Sequence, residues 1–383
     1  MAIKVLTNLR LAQTAGIAQT LSAFLDFIRK NKKSAIKICA VNIFNSKESS
    51  YSKNRKTNIS IISAGAKAPN LKKIIEGSKD ISHVEKKLSK IIEIYRKAIV
   101  QEKPDLVLVN GTYYMPWCLF IAAQRESIPV VLHYHGVLAK ETKNWPVREK
   151  RVFLQMERCF DKEGIFYIFP SKMTKDTVEK EIYKHKVKNF AVIPNPVPLY
   201  FFGASAKANK TNIGIVGRWT GIKNIAFCEA LAEYNKKQGG DFVINLVSDL
   251  EKNDKRYKKL SKIMKIHPAM ENKKLAEFYK KMGIVISPSH FETYGNVSKE
   301  ALASGVPAMV SYNMGVTETF RKIGLKKWVI NFDSVSEVYS KIKSTIGSGV
   351  DSRARQQLMN SYSPSKIFSR LSGVLESVHL KQF

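Results

Sequence analysis

The chain has 383 residues, more than one ordinary hydrophobic core holds, and its 44% hydrophobic and 10% aromatic content predicts a globular protein of two or three domains. Its longest apolar run, YMPWCLFIAA near 114–123, is about half of the roughly 20 residues that span a bilayer. We therefore expect a soluble or peripheral protein. The net charge of +32 attracts polyanions, so nucleic acid, an anionic membrane surface and an acidic glycan are candidate partners. The plain alternative is a lysine-rich solvated surface.

The first half of the chain alternates short apolar runs with amphipathic patterns. The predicted strands are 3–7, 34–44, 58–64, 105–111, 129–136, 165–171 and 190–197, with a basic loop at 47–57. The predicted helices are 17–28, 80–101, 115–126, 145–162 and 172–184. Apolar runs separated by helical patterns are typical of a parallel sheet buried on both faces. The pattern therefore predicts a doubly wound α/β domain.

A second α/β series starts after residues 194–210, a segment with three prolines that is the predicted linker. Its predicted strands are 212–217, 241–247, 261–267, 283–289, 306–312 and 327–332. Its predicted helices are 223–238, 273–282, 296–304, 335–347 and 363–378. The sequence thus predicts two doubly wound, Rossmann-like domains facing a cleft, with ligands outside the carboxyl ends of the strands. The predicted boundaries are 1–198, 199–364 and a closing helical segment at 365–383.

The N-terminal segment and the four cysteines predict an intracellular protein. MAIKVLTNLRLAQTAGIAQTL lacks an unbroken apolar stretch and a cleavage site, so we expect mature protein and not a secretory signal. Cys39, Cys118, Cys159 and Cys228 lie too far apart for a CxxC-like pair. Scattered cysteines are typical of buried free thiols in a reducing cytosol, and we expect no metal or redox site from them.

One candidate site lies in IVGRWTGIKN (215–224), after the first strand of the second series. Arg218 and Lys223 occupy a strand-to-helix loop, where two cations can converge on one phosphate group. In a chain with 64 basic residues, a solvated loop is the alternative. Neither GxGxxG nor GxxxxGK[ST] occurs, which excludes a dinucleotide fingerprint and a P-loop.

The other candidate site is SPSHFETYGNVSKEALASGVP (287–307), which holds Glu292 and Glu300. Asn296 is the predicted N-cap of a helix whose free N–H groups and positive dipole end favour a phosphate. Gly295 would let a ligand approach the backbone closely. Carboxylates accept hydrogen bonds from sugar hydroxyls. The alternative is that Glu300 stabilises the helix N-terminus and Glu292 is simply exposed.

Together these segments resemble the retaining, nucleotide-sugar-dependent glycosyltransferases of family four, which have the GT-B fold. The hallmark of that family is a Glu-x7-Glu segment followed by an Ala-rich helix and Gly-Val-Pro, and 287–307 matches it almost throughout. The upstream GR…K segment, KPDLVLVNG (103–111), VVLHYHG (130–136) and VIPNPV (192–197) also fit. The resemblance implies an N-terminal acceptor domain, a C-terminal donor domain and a closing helix that crosses back to the first.

The resemblance also implies roles in donor binding. Glu292 would hold hydroxyls of the donor sugar, and Glu300 would hold the ribose of the nucleotide. Arg218 and Lys223 would neutralise the diphosphate. The backbone between the two glutamates would bind the diphosphate or the sugar, through Tyr294, Gly295, Asn296 and Val297.

In the first domain the resemblance implies that His135 approaches the donor sugar, with His133 as the less favoured substitute. Gly16 lies in the corresponding N-terminal donor loop. Glu292 and His135 are thus the candidate catalytic residues. The basic pair and the helix N-terminus would stabilise the leaving diphosphate, so we expect no metal and no cofactor beyond the co-substrate, with a UDP-sugar favoured. Retention would follow from front-face attack, and Glu292 would not be a covalent nucleophile.

Three positions depart from the family pattern. TAGIAQ has one glycine where a pair is common, and Asn224 follows Lys223 where glycine is usual. IHPAM (266–270) stands where the family often has a glycine-containing turn near the base, which leaves the nucleotide preference open.

The predicted function is a metal-independent, retaining hexosyltransferase of polysaccharide biosynthesis. Its acceptor would be a hydroxyl of a cell-envelope glycan or a lipid-linked saccharide, and its place the cytoplasm or the inner face of the cell membrane. One alternative is another GT-B enzyme, a nucleotide-sugar epimerase or a sugar phosphorylase. The other is a non-catalytic polyanion-binding protein, which predicts salt-sensitive binding to nucleic acid. No aromatic-interleaved RNA motif supports it, so we expect no specific nucleic acid partner.

Overall fold

The structure is a computed structural model that describes residues 2–10, 16–31, 34–46, 50–56, 58–203 and 209–381. Its backbone groups into two units, each with its own sheet. The first unit comprises Met1–Pro194 together with Ile367–Phe383, and the second comprises Asn195–Lys366. The sequence placed the boundary slightly later, after residue 198. The roles predicted for the two domains stay predictions.

The first unit is built on an eight-stranded sheet. Its strands are β1 (Ile3–Leu9), β2 (Ile36–Asn45), β3 (Tyr51–Lys56), β4 (Ile59–Ala66), β5 (Leu106–Asn110), β6 (Val130–His133), β7 (Phe166–Phe169) and β8 (Phe190–Val192). Their order is β3-β4-β2-β1-β5-β6-β7-β8, and all neighbours are parallel except β3 and β4. The direction of winding reverses between β1 and β5, where doubly wound sheets place ligands.

The first unit's helices largely follow the expected alternation. They are α1 (Gly16–Lys30), α2 (Leu71–Glu76), α3 (Ile81–Lys87), α4 (Ser89–Glu102), α5 (Tyr114–Arg125), α6 (Leu138–Glu141), α7 (Val147–Arg158) and α8 (Lys172–Thr177), the last running into a π-helical stretch at Val178–Tyr183. The prediction of a single helix at 80–101 is wrong in one respect. The helix is broken into two at the buried Leu88. Leu88 ends α3 and precedes α4, with a backbone outside the helical range.

The predicted basic loop at 47–57 is wrong for Tyr51–Lys56, which form β3. This strand pairs antiparallel with β4, from Tyr51 opposite Ala64 to Lys56 opposite Ile59. It lies at the sheet edge and has no alternating apolar face, so hydrophobic periodicity could not reveal it. Lys53 forms an ion pair with Glu102, and a lysine on an edge strand discourages pairing with other chains. Residues 47–49 and 57 lie outside the described residues.

The second unit is built on a six-stranded parallel sheet. Its strands are β9 (Asn212–Val216), β10 (Val243–Ser248), β11 (Lys265–Pro268), β12 (Ile284–Ser287), β13 (Ala308–Ser311) and β14 (Val329–Ile330). Their order is β11-β10-β9-β12-β13-β14, which is the 3-2-1-4-5-6 order of a doubly wound dinucleotide-binding fold. The switch point lies between β9 and β12. The sheet core is aliphatic, with Ile213, Ile215, Ile284 and Ile286 all buried.

Eight further α-helices follow in the described part of the chain. They are α9 (Ile225–Lys237), α10 (Lys255–Leu260), α11 (Asn272–Tyr279), α12 (Asn296–Ala303), α13 (Thr317–Lys322), α14 (Val335–Thr345), α15 (Ser352–Tyr362) and α16 (Pro364–Lys381). The pattern did not predict α10, α13 or α15. The strand expected at 261–267 is reduced to β11, because α10 and a turn precede it.

The closing helix α16 belongs to the first unit from Ile367 onward. Phe368 packs against the rings of Phe24 and Phe27, at centroid distances of 5.5 and 5.8 Å. The guanidinium of Arg370 donates to the Val192 carbonyl oxygen at 2.9 Å. These contacts anchor the helix against α1 and β8.

The cysteines are free thiols in the structure. Cys39, Cys118 and Cys228 are buried and Cys159 is half-buried, as the sequence predicted for apolar packing. Across the described ranges, no helix combines the length and the apolar character that crossing a membrane requires.

Candidate active site

The loop that carries Arg218 is tied to its neighbours in the second unit. Gly217 continues directly from β9, and its N–H donates to the Val247 carbonyl oxygen at 3.0 Å. The Trp219 N–H donates to Oδ1 of Asp249, the residue after β10, at 3.1 Å. Asp249 therefore orients the loop at the carboxyl ends of β9 and β10. Asp249 is not among the site residues that the sequence analysis predicted.

Lys223 ends a single 3-10 turn, Gly221–Lys223, that leads into α9. The next residue, Asn224, has φ of 55°, a left-handed conformation that asparagine and glycine adopt most readily. Its side chain also caps α9 by accepting from the Phe227 N–H at 3.4 Å. The departure at Asn224 is therefore conservative for the backbone. It preserves the left-handed turn that a glycine would supply and adds a cap.

The structure brings Lys223 and Glu292 into direct contact. Oε1 of Glu292 lies 2.8 Å from Nζ of Lys223 and accepts from the Ser289 hydroxyl at 2.6 Å. The two loops are also joined through the backbone, because the His290 N–H donates to the Ile222 carbonyl oxygen at 2.9 Å. A carboxylate, an ammonium group and a hydroxyl thus converge beyond β12.

Three of the predicted residues line one pocket at the switch point between β9 and β12. The pocket is open to solvent, and Arg218, Lys223 and Glu292 all contribute to its wall. Ser289 and Gly217 line it as well. Two cations and one carboxylate therefore surround a concave space where α/β sheets place ligands.

Glu300 lies on α12 and does not line that pocket. Its Oε2 accepts from the hydroxyl of Tyr279 at 3.2 Å. Burial raises the pKa of Glu300 to about 7, so its charge changes near neutral pH. Burial, followed by the charges of Glu300 and Glu292, raises the pKa of Tyr279 well above its usual range. Tyr279 thus interacts electrostatically with both acids. The sequence analysis did not single out Tyr279, because it lies in an apolar helix pattern.

The start of α12 differs from the prediction. Asn296 is not the N-cap, because Gly295 takes that position with φ of 108°. A Cβ at Gly295 would lie 2.7 Å from Cε of Met314 and 3.0 Å from Cγ1 of Val316. Both the backbone conformation and the close packing therefore require glycine. Asn296 is the first helical residue, and its Oδ1 accepts from Nδ2 of Asn195 at 3.1 Å.

The other predicted residues at this helix start have mixed exposure. Tyr294 is buried, and its hydroxyl lies 2.9 Å from Oγ1 of Thr319. Its carbonyl oxygen accepts from the Val316 N–H at 2.6 Å. Val297 is half-buried in the first turn of α12. The side chain of Tyr294 thus packs inward, which leaves its backbone as the part that can meet a ligand.

Lys299 is a buried residue of the Glu-x7-Glu segment that sequence reasoning missed. Its ammonium donates to the Asn195 carbonyl oxygen and lies 4.1 Å from the ring centre of Tyr294 and 5.2 Å from that of Tyr362. Burial lowers the pKa of Lys299 well below its usual range. The lysine fastens the start of α12 to Asn195, with aromatic faces replacing water around its charge.

In the first unit, His135 belongs to a chain of neutral groups at the switch point between β1 and β5. Its Nε2 lies 2.8 Å from Oδ1 of Asn110, the last residue of β5. Asn110 is held in turn by Asn8 of β1, which accepts from the Asn110 N–H at 2.9 Å and donates to its carbonyl oxygen at 3.1 Å. With the amide oxygen as acceptor, Nε2 of His135 carries the ring proton. Asn8 and Asn110 are site residues that sequence reasoning missed.

Both histidines of this edge are neutral near pH 7. Burial lowers the pKa of His135 to about 4, and burial with the nearby His135 lowers the pKa of His133 well below its usual range. Their ring centres lie 4.1 Å apart. Nε2 of His133 is buried and has no hydrogen-bond partner among the residues that the structure describes. His133 points into the protein, whereas His135 is only partly buried.

The remaining predicted donor residue, Gly16, is the first residue of α1. The loop before it, 11–15, lies outside the described residues. Within the described ranges, no three His, Cys, Asp or Glu side chains are grouped as a metal ion would need.

Comparison with known families gives two matches along the chain. A family model described as "Glycosyl transferases group 1" matches residues 210–347, and one described as "Glycosyltransferase Family 4" matches residues 81–201. Together they cover about two thirds of the chain. The chain belongs to the group 1, family 4 glycosyltransferases. The first match contains Arg218, Lys223, Glu292 and Glu300, and the second contains His135.

Two curated proteins resemble this glycosyltransferase at low identity. One, from Klebsiella pneumoniae, is named "Uncharacterized 41.2 kDa protein in cps region"; it is 26% identical over 270 residues, which are 66% of this chain and 72% of that protein. The other, from Bacillus subtilis (strain 168), is named "Putative glycosyltransferase EpsF". It is 24% identical over 244 residues, which are 56% of this chain and 60% of that protein.

Solved structures of glycosyltransferases superpose on the whole chain. A sucrose-phosphate synthase from Thermosynechococcus elongatus has a TM-score of 0.72 at 13% identity, covering 99% of this chain and 100% of its own. Anabaena HepE, solved in complex with UDP and glucose, has a TM-score of 0.68 at 13% identity, covering 98% and 100%. At such identities the likeness shows the fold, and the fold of this glycosyltransferase is GT-B.

Proposed function

We propose that this glycosyltransferase moves a sugar from a nucleotide-diphosphate-sugar to an acceptor hydroxyl, with retention of anomeric configuration and without a metal ion. The observation that carries the proposal is the pocket shared by Arg218, Lys223 and Glu292 at the β9/β12 switch point. Its two cations suit a diphosphate, and its carboxylate suits the hydroxyls of a sugar attached to that diphosphate.

The ion pair between Lys223 and Glu292 holds both groups in place before the donor arrives. A bound diphosphate would compete for Lys223 and release a Glu292 oxygen for the sugar, while Ser289 keeps that carboxylate oriented. Arg218 and Lys223 then face the oxygen that becomes negative as the bond to the sugar breaks. Preorganised cations at that position stabilise the leaving group as its charge develops.

In the proposed reaction, the acceptor oxygen attacks the anomeric carbon on the face from which the phosphate departs. The carbon–oxygen bond to the diphosphate breaks, and the acceptor proton passes to the departing phosphate oxygen. No glycosyl–enzyme bond forms, so Glu292 acts by orienting the sugar. Since Nε2 of neutral His135 donates to Asn110, its Nδ1 would accept a hydrogen bond from a sugar hydroxyl, which an unprotonated phosphate oxygen cannot donate.

Glu300 would bind the ribose of the donor nucleotide through its ionised carboxylate. The backbone of Tyr294, Gly295, Asn296 and Val297 would lie along the diphosphate, since the first N–H groups of α12 have no partner in the helix. We propose a UDP-sugar as the donor, which the UDP and glucose in the HepE structure support. We propose a cell-envelope glycan or lipid-linked saccharide as the acceptor and a cytoplasmic, membrane-peripheral location.

Donor binding can be measured before the acceptor is known. UDP-, GDP- and ADP-sugars are compared for their effect on the thermal unfolding midpoint, because a ligand that binds only the folded state raises it. We expect one nucleotide series to raise the midpoint, in the presence and absence of EDTA. If no sugar nucleotide changes the midpoint, the proposed function is wrong.

The stereochemistry is tested separately, by NMR of the product once an acceptor is found. We expect the anomeric configuration of the donor in the product, and activity that survives EDTA. An inverted product would contradict the front-face mechanism. Interconversion of the donor sugar without an acceptor would instead indicate an epimerase.

A further inference from the structure

Three exposed apolar side chains of the first unit lie around the buried Phe153 and the start of its helix α7, and we name Tyr113, Trp145 and Val147 the aromatic surface. Their exposed fractions are 41%, 42% and 78%. The buried Phe153 of α7 supports two of them. The Tyr113 ring stacks on it at 5.9 Å, and the Trp145 ring meets it edge-on at 5.4 Å. Val147 is the first residue of α7, two residues after Trp145.

The aromatic surface adjoins the turn of the first unit that carries His135. Tyr113 follows Thr112, whose hydroxyl donates to the Gly136 carbonyl oxygen at 3.0 Å. Gly136 in turn follows His135. The aromatic surface therefore begins one residue from a loop that contacts the His135 turn, at the carboxyl ends of β5 and β6.

Basic residues flank the aromatic surface. The segment from Lys143 to Arg151, KNWPVREKR, has four cations and one acid. The guanidinium groups of Arg148 and Arg151 donate to backbone carbonyl oxygens of Ser78 and Lys79, each at 3.1 Å. In the described part of the chain, none of the four cations forms an ion pair with a carboxylate. Their charges remain available to an anionic partner.

We propose that the aromatic surface docks on an anionic lipid bilayer and thereby brings a lipid-linked acceptor to His135. Trp and Tyr side chains favour the membrane–water interface, and Lys and Arg beside them are attracted to anionic headgroups. Val147, the most exposed of the three, has no ring to stack on a base, which disfavours single-stranded nucleic acid as the partner. The membrane contact stands on its own observations, whereas the delivery of an acceptor rests on the proposed function.

Tryptophan fluorescence of the unaltered full chain tests the contact directly. Of the four tryptophans, Trp117, Trp219 and Trp328 are buried and Trp145 is exposed. We expect a blue shift of emission with vesicles of phosphatidylcholine and phosphatidylglycerol in equal parts, and none with phosphatidylcholine alone. An unchanged spectrum with both vesicles would overturn the proposal.

Cosedimentation with the same vesicles tests which residues are responsible. The single variant Val147→Ser keeps the Trp145–Phe153 contact, so it should fold. In the double variant Val147→Ser with Trp145→Ser, we expect vesicle binding to weaken about tenfold. Val243→Ser with Leu380→Ser is the matched control, because both residues are exposed and apolar elsewhere. Equal binding by the two double variants would contradict the assignment to this surface.

The charge contribution has its own matched pair of variants. Lys143→Gln with Lys150→Gln should weaken vesicle binding by about 25-fold, roughly fivefold per cation, whereas Lys236→Gln with Lys237→Gln at the end of α9 should have little effect. Binding should also fall as salt rises. If single-stranded RNA of the same charge binds more tightly than the vesicles and loses binding in the same variants, the partner is nucleic acid and the proposal is wrong.

The donor thermal shift separates this proposal from the proposed function. All the variants above leave Arg218, Lys223 and Glu292 in place, so the midpoint shift caused by the donor should be unchanged. Vesicle binding without a donor-induced midpoint shift would support the membrane contact and contradict the proposed function. A donor-induced shift without vesicle binding would support the proposed function and contradict the membrane contact.

Discussion

The two sheets carry chemically opposite groups at corresponding edges. At the β9/β12 switch point of the second unit, Arg218, Lys223 and Glu292 bring full charges into one pocket. At the β1/β5 switch point of the first unit, Asn8, Asn110 and His135 form a chain of neutral amides and an imidazole. The same doubly wound topology thus supports a charged edge in one unit and an uncharged edge in the other.

Solvation explains the difference. Lys223 and Glu292 are partly exposed and form an ion pair. His135 donates to the amide oxygen of Asn110, and burial lowers its pKa to about 4, so it is neutral near pH 7. A charged edge suits the diphosphate of the proposed donor, and a neutral edge suits hydroxyl groups. The following predictions test this division, in order of decreasing effect.

The largest effect is expected from Glu292→Ala. Without the carboxylate the donor sugar loses its orientation, so turnover should fall about 100-fold or more, as when one preorganised catalytic group is lost. Donor affinity should change little, because Lys223 is then free for the diphosphate. Steady-state kinetics measure both values. Glu229→Ala is the control. Glu229 forms an ion pair with Lys259, at 2.9 Å, and neither residue lines the pocket.

Lys223→Ala should weaken donor binding by about 10- to 100-fold, because one charge-assisted hydrogen bond to the diphosphate is lost. Isothermal titration calorimetry with the nucleotide diphosphate measures this directly. Lys259→Ala removes a lysine from a similar ion pair and should leave the affinity unchanged. If the two variants bind equally well, the second unit's charged edge does not receive the diphosphate.

The raised pKa of Glu300 predicts that donor binding depends on pH. Burial raises its pKa to about 7, so the carboxylate is mostly ionised at pH 8 and mostly protonated at pH 6. If the ionised form accepts the ribose hydroxyls, donor affinity should fall about tenfold from pH 8 to pH 6. Glu300→Gln should bind weakly and with no such change. An identical pH profile in both proteins would remove Glu300 from the donor site.

The same raised pKa has a consequence for stability. A folded-state pKa above the unfolded value means that the folded protein binds the proton more tightly. The contribution of Glu300 to stability is therefore present at low pH and is lost as pH rises through about 7. Glu300→Gln should remove that part of the pH dependence of the unfolding free energy, as measured by urea denaturation in the absence of donor.

The smallest effect is expected from a charge placed on the neutral edge. Asn110→Asp sets a carboxylate against Nε2 of His135, which should raise the pKa of His135 from about 4 towards its ordinary value. NMR titration of the imidazole measures the shift, and turnover should acquire a dependence on pH near 6. Asn110→Ala is the control, since it removes the hydrogen bond without adding charge. An unshifted titration in Asn110→Asp would show that the amide does not orient His135.

The contrast between the two edges also shows where sequence reasoning succeeds. The Glu-x7-Glu stretch and the GR…K loop each follow a buried strand, so their place at the carboxyl end of a parallel sheet could be read from local patterns. The alternation of strands and helices was local as well, because each element has its own hydrophobic period. Edge strand β3 and the short, polar helix α10 lack such a period, and the sequence analysis missed both.

By itself, the sequence determined the fold class, the family resemblance and the candidate residues Arg218, Lys223, Glu292, Glu300 and His135. Only the tertiary structure decided which groups meet: Lys223 with Glu292, Asn110 with His135, and the buried Lys299 with Asn195. These pairs are far apart in sequence and depend on the order of the strands. The shifts in pKa follow from burial, which a local pattern cannot reveal for a lysine or a glutamate that is usually exposed.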